Sequence, residues 1–270
     1  MYLESGKYYH IYNHANGFEN IFRKGENFSF FLEKYKFHLS AFFDTYAYCL
    51  MPNHFHFLVR VKSCEEIVAA LEEMLKPTST SPTSTKFETS SPTSTKFETS
   101  LKFMAKEELP PFFSAAKTSP SSRFNAYKKT SRKLEALKDL KSSNGSASEV
   151  EAFLQIWISR QLGDLFSSYT QAFNKQNKRM GGLFIHPFQR KEVLSDDYLR
   201  TLVVYIHNNP VYHGFFQRPE EWIYSSYNEI INNENYFVDS NTVIQWFSDF
   251  ENFVFCHNII PDIDFDYTLE

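Results

Sequence analysis

The amino-acid sequence predicts an α+β fold, a ferredoxin-like antiparallel sheet with helices, carrying a long disordered insertion. Three observations predict it. Short runs of strand formers alternate with runs of helical periodicity, in the order β-α-β-β-α, interruption, α, β, α. Two of those strands meet at a Pro52-Asn53 turn, the arrangement of an antiparallel pair. A perfectly repeated polar decapeptide then splits the ordered pattern into two parts.

Each element has its own signal. Residues 8–14, Tyr-Tyr-His-Ile-Tyr-Asn-His, are rich in β-formers and read as a first strand. From Asn27 to Phe43 the apolar residues Phe28, Phe31, Leu32, Tyr35, Leu39 and Phe42 recur at helical spacing. A second strand spans Thr45–Met51 and a third His54–Val61, and Ser63 with Glu66 forms a capping box that opens a helix through Leu75. Ser-Pro-Thr-Ser-Thr-Lys-Phe-Glu-Thr-Ser stands at 81–90 and again at 91–100, too polar to bury itself and too few copies for a solenoid. Disorder is expected from about Lys76 to Ser148, with a transient helix over the basic stretch Lys128–Lys141. Order resumes at Glu149 with an amphipathic helix through Phe173, kinked at Gly163 and ended by Gly181-Gly182. Leu183–Val193 reads as a strand or extended hairpin. Ser195-Asp196-Asp197 caps a last helix, which Pro210 stops after Asn209.

Composition excludes some classes. The three cysteines, Cys49, Cys64 and Cys256, form no Cys-x-x-Cys pair, which argues against a disulfide framework and a cysteine zinc site and fits a reducing compartment. The N-terminus lacks the basic and apolar regions of a signal peptide, and no apolar run approaches membrane-helix length. A soluble, cytoplasmic protein without a membrane partner is expected. The net charge of −4 hides an asymmetry. No Lys or Arg follows Arg218, while residues 1–218 carry 28 Lys and Arg against 21 Asp and Glu, a net +7. A basic body suits phosphate, although ordinary solvated surface accounts for the same charges. The 29 Phe and 16 Tyr fit either core packing or base stacking.

Two groups of residues carry chemistry. In His54-Phe55-His56, strand alternation puts both imidazoles on one face with their Cβ atoms about 7 Å apart, and neutral imidazoles converging this way can hold a divalent metal. Two such histidines can also simply be surface residues. Tyr205 and Asn209 stand at i and i+4 on the last helix and share one face, while Leu199, Leu202, Val203 and Ile206 cover the core side. A helical tyrosine is ordinarily a packing residue.

The run Ala47-Tyr-Cys-Leu-Met-Pro-Asn-His-Phe-His-Phe-Leu-Val59 resembles the histidine-hydrophobe-histidine segment of the single-tyrosine HUH transposases, and most of all the REP-associated tyrosine transposases. Tyr205-Ile-His-Asn-Asn-Pro-Val211 resembles their nucleophile helix, and Tyr8–Asn13, Gly182–Phe184 and Trp222–Tyr227 add weaker matches in the same order. The resemblance covers about residues 7–75 and 150–230. It implies an HUH-nuclease type of fold, with a discontinuous catalytic domain over 1–75 and 149–230, an insertion over 76–148 and an acidic C-terminal extension over 231–270. It further implies Tyr205 as nucleophile, His54 and His56 as metal ligands, Asn209 as a third ligand, and Mg²⁺ or Mn²⁺ as the cofactor. The expected activity is cleavage and rejoining of single-stranded, hairpin-bearing DNA by a monomer or homodimer. The alternatives are a domesticated relative that processes repeated chromosomal hairpins and a DNA-binding protein that has lost cleavage.

Candidate DNA-binding residues are His10, Asn13, His14, Lys178, Arg179, Arg190 and Lys191. Alternation exposes either Tyr9, Ile11 and Asn13 or His10, Tyr12 and His14, and the sequence leaves both open. The insertion is longer than the family's pattern, and His186 stands where a polar or basic residue is common.

Overall fold

The computed structural model describes residues 2–76, 120–143, 145–234 and 236–259. Four strands, β1 (Tyr8–His14), β2 (Phe43–Leu50), β3 (His54–Val61) and β4 (Gln189–Glu192), form an antiparallel sheet in the order β2-β3-β1-β4. Helix α1 (Gly25–Leu39) joins β1 to β2, and the long helix α4 (Ala147–Asn177) precedes β4. That connectivity is the ferredoxin-like arrangement.

Register decides which side chain goes where. Tyr9, Ile11 and Asn13 of β1 lie opposite Val59, Phe57 and Phe55 of β3, so these residues share one face. Helices α1 and α4 cover it. Phe31 of α1 lies 5.1 Å from Phe55, Tyr35 stacks on Phe57 at 4.3 Å, and Phe166 of α4 lies 5.9 Å from Phe55. Each fully buried ring of this kind contributes about 1.5–3 kcal/mol, so much of the aromatic content is spent on packing. The opposite face carries His10, Tyr12 and His14 beside Leu58, His56 and His54. Helix α5 (Asp196–Tyr212) lies across it.

The start of α5 follows its sequence signal, with Ser195 Oγ accepting from the Tyr198 amide. Its end does not. The helix runs through Pro210 to Tyr212, and Gly214 turns the chain away at φ +69°. A proline in a last turn removes only its own amide donor, while the amides of His213 and Phe215 still reach Asn209 and Pro210 carbonyls. Helix α4 likewise continues through Gly163 and ends at Lys178, whose φ of 51° is left-handed. Within Leu183–Val193 only Gln189–Glu192 forms a strand, and Phe184 makes a single bridge to Ala15.

Two regions are more integrated than the sequence implied. Residues Pro120–Ser142, inside the stretch expected to be disordered, form helix α3. Its Leu134 and Leu137 are buried, and Lys138 and Lys141 meet Glu72 and Glu65 of α2 (Cys64–Leu75) at 2.7 and 2.6 Å. The basic residues hid an apolar pair three positions apart whose charges complement α2. The decapeptide repeat falls outside the described residues. The segment expected as an acidic extension, residues 231–270, follows α6 (Tyr227–Ile231) and holds α7 (Ser240–Trp246) and α8 (Phe250–Asn258). Its acids are partly caps: Asp239 and Asp249 accept from the Thr242 and Asn252 amides.

Helix α8 is tied to α5 through buried histidines. His257 Nδ1–H donates to the Phe253 carbonyl at 2.7 Å, so its Nε2 accepts from His207 Nδ1–H at 2.8 Å. His207 Nε2 then accepts from Ser226 Oγ at 2.8 Å, and that oxygen accepts from the Tyr48 amide of β2 at 2.8 Å. Every ring in this chain is neutral. Burial pushes His257 down to about 4, and burial, with the neighbouring His257, holds His207 well below the usual histidine range.

Candidate active site

Helix α5 brings Tyr205 and Asn209, one turn apart, onto the histidine-bearing face of the sheet. His54 Nε2 is 2.8 Å from Asn209 Oδ1, and Asn209 Nδ2 donates to His56 Nε2 at 3.3 Å. His56 Nδ1 therefore carries its proton and donates to His10 Nε2 at 2.9 Å. The Tyr205 ring stands edge-on to His56 at 5.5 Å and to His10 at 6.3 Å, and lies 5.9 Å from Tyr212. His54, His56 and Asn209 are each 1% exposed or less, and Tyr205 is 4% exposed. The histidines are thus not on a solvent-facing surface: α5 roofs them over.

Burial first, then the nearby imidazoles of His10, His54, His14 and His213, keeps His56 well below the usual histidine range. It stays neutral at physiological pH, the form that offers a lone pair to a metal. His54 has an oxygen at each nitrogen, Asn53 Oδ1 at 2.9 Å from Nδ1 and Asn209 Oδ1 at 2.8 Å from Nε2. A neutral imidazole donates to only one of them. Donation to Asn53 leaves Nε2 and Asn209 Oδ1 as two electron-pair donors facing each other, which a cation would join. Two imidazole nitrogens and an amide oxygen therefore fit a divalent ion that keeps further sites for water or phosphate. Among the described residues no group of three or more His, Cys, Asp or Glu is arranged to hold a metal, so this donor set depends on the Asn209 amide.

The sequence candidates separate cleanly. His10 bonds to His56, and His14 stacks on His54 at 4.6 Å, so both belong to the site. Lys191 lies opposite His10 on the same face and sits 5.2 Å over the Tyr198 ring. Asn13 is on the other face, donating to the Ile185 carbonyl. Arg179 pins a loop: its guanidinium meets Glu19 at 2.6 Å and the Gly182 carbonyl at 2.7 Å. Arg190 faces away with Ile11 and lies over Phe188, and Lys178 is the exposed cap of α4. Sequence reasoning missed Asn53, Tyr212 and His213. The signals were present: Asn53 precedes His54 directly at the turn, while His213 lies four residues beyond Asn209 and Tyr212 seven beyond Tyr205, both helix-face spacings. His213 is 5.0 Å from His54.

No family model and no curated protein matches this chain. A solved structure described as a REP-associated tyrosine transposase bound to a REP hairpin is similar over 86% of this chain and 82% of that one, with 12% identity and a TM-score of 0.40. The functional reading therefore rests on the side chains.

Proposed function

We propose that this protein is a metal-dependent enzyme that cleaves and rejoins single-stranded, hairpin-bearing DNA through a covalent bond to Tyr205. One observation carries the proposal: two imidazole Nε2 atoms converge on the Asn209 amide one helical turn from a tyrosine whose ring touches one of those imidazoles. His54, His56 and Asn209 would hold Mg²⁺ or Mn²⁺, which supplies charge to a non-bridging phosphate oxygen and to the leaving oxygen when bound.

The chain's own groups do the rest. Tyr205 Oη forms a bond to phosphorus, the bond from phosphorus to the 3′-oxygen breaks, the tyrosyl proton passes to water, and the departing 3′-oxygen takes up a proton. The product is a 5′-phosphotyrosine with a free 3′-hydroxyl. Reversal rejoins strands without a nucleotide cofactor, because the phosphotyrosine retains the energy of the broken ester. His10 fixes the ring of His56 by accepting from Nδ1–H, and Asn53 does the same for His54. Lys191, beside His10 on the same face, offers a cation to an incoming phosphate.

Labelled single-stranded hairpin DNA with Mn²⁺ should give an adduct that survives denaturation, and Tyr205→Phe should give none. An adduct of undiminished yield in Tyr205→Phe would remove the nucleophile assignment. The burial of Tyr205 favours a second reading, a DNA-binding protein that does not cleave. Tight binding by the wild type with no adduct under any divalent metal would select it.

A further inference from the structure

Tyr205 and Asn209 face the sheet, while His207 and Asn208, which lie between them in the chain, are held from behind. Successive helix residues turn by about 100°, so His207 stands about 180° from the direction midway between Tyr205 and Asn209. Helix α8 packs on α5 there. His207 Nδ1–H donates to His257 Nε2 at 2.8 Å, and the Asn208 side-chain amide donates to the His257 backbone carbonyl at 3.2 Å. One residue of α8 thus receives hydrogen bonds from two neighbouring residues of α5. His257 is itself fixed, with its ring 4.2 Å from Phe253 and 5.0 Å from Tyr227 and its Nδ1–H on the Phe253 carbonyl. His207, Asn208 and His257 are all buried, so water does not replace these bonds when they are lost.

The other nitrogen of His207 is tied to the sheet. It accepts from Ser226 Oγ at 2.8 Å, and Ser226 Oγ accepts from the Tyr48 amide of β2 at 2.8 Å. The segment that carries Ser226 is itself laced to β2: the Leu50 amide donates to the Tyr224 carbonyl at 2.9 Å, and the Ser226 amide to the Tyr48 carbonyl at 3.0 Å. The His207 ring is therefore held at both ends, by α8 and by β2.

Such a grip fixes what the rest of the helix leaves loosely set, its rotation about its own axis. Leu199, Leu202, Val203 and Ile206 bury apolar surface, an attraction without direction. On the site side the polar ties run from Asn209 to His54 and His56, through the same atoms that would hold a metal. A turn of about 10° moves a group about 5–6 Å from the helix axis by about 1 Å, and a misplacement of that size can cost about 100-fold in rate. We propose that His257 is a positioning residue for Tyr205: through His207 and Asn208 it sets the rotation of α5, so that the last helix completes the active site from behind without touching the substrate. The reaction served rests on the DNA-cleaving reading above; the placing of α5 does not.

The test separates the hydrogen bond from the packing. His257→Phe keeps a ring and loses the acceptor, whereas His257→Gln carries an oxygen as many bonds from Cα as Nε2, able to accept from His207. Phe253→Leu is the control, because it loosens the same cluster and keeps the His257 bonds. Each variant is compared at a temperature equally far below its own melting point. In nitrogen-15 spectra of the metal-free protein, the His56 Nε2 resonance should be displaced in His257→Phe, as Asn209 turns away from it, and return in His257→Gln. Single-turnover formation of the Tyr205 adduct on labelled hairpin DNA with Mn²⁺ should slow about 100-fold in His257→Phe and stay near the wild-type rate in His257→Gln. Hairpin affinity without metal should be unchanged in both. Ser226→Ala cuts the same chain at its other end and should reproduce the displaced resonance and the slow adduct, which carries the test if His257→Phe does not fold. A His56 resonance that stays in place when the chain is cut, or equal slowing in Phe253→Leu, would overturn the positioning role. A displaced resonance in a protein whose wild type forms no adduct would support that role and defeat only the cleavage reading.

Discussion

At the scale of single residues, burial changes what the site histidines are expected to do. His54 and His56 share the Asn209 amide under α5, so removing both imidazoles opens a cavity and leaves a buried amide without its partners. The double change His54→Ala/His56→Ala should lower the metal-free unfolding free energy by about 2–4 kcal/mol in urea. Mn²⁺ should raise the melting temperature of the wild type and not of the double variant. A Mn²⁺ response that survives in the variant would place the ion elsewhere. His10 tests the support of the site. With His10→Phe the proton on His56 Nδ1 loses its acceptor, and calorimetric Mn²⁺ affinity should fall about 10–100-fold, as loss of such an orienting bond commonly produces. An unchanged affinity would show that His56 is oriented by α5 alone.

At the scale of elements, the three long strands and the start of α5 were legible because alternation, turn residues and caps act locally. His54–Val61 and Ser63–Glu66 signal their own boundaries, and the structure places them there. What was not legible depends on distant partners. Helix α3 has a polar, basic sequence and is fixed by Leu134, Leu137 and two acids of α2 that lie over 60 residues away. Leu137→Ala should therefore cost about 2–5 kcal/mol, whereas Lys138→Ala, losing an exposed pair, should cost under about 1 kcal/mol. Similar losses for the two would mean that α3 is held by charge rather than packing. The site was legible in part for the same reason. Same-strand and same-helix pairs, His54 with His56 and Tyr205 with Asn209, show in the spacing. The bonds that join them across the face, and that enlist His10 and Asn53, need the register of β1 on β3 and the docking of α5.

At the scale of the whole molecule, the His207–His257 chain ties the last helix to the sheet and makes stability depend on pH. Both rings have folded values below the unfolded histidine value of about 6.5, so below that pH the unfolded chain binds more protons than the folded one. Their contribution is complete above about pH 6.5 and is lost as the pH falls toward 4. Urea unfolding at pH 7.5 and pH 5 should differ by a few kcal/mol, and His257→Phe should reduce that difference while His207 and His56 maintain the rest. A profile equally steep in the variant would assign the acid sensitivity to other groups. The stretch from 77 to 119 has a consequence of another kind through its position in the chain. The paired histidines and the tyrosine lie on opposite sides of it in the chain, yet β1 pairs with β4, and α5 packs on β2 and β3. Two polypeptides, residues 1–76 and 120–270, would each be silent alone, because neither holds both halves of the chemistry. Co-expressed, they should associate through that shared sheet and recover adduct formation, which would make the protein a natural candidate for a split, proximity-controlled reagent.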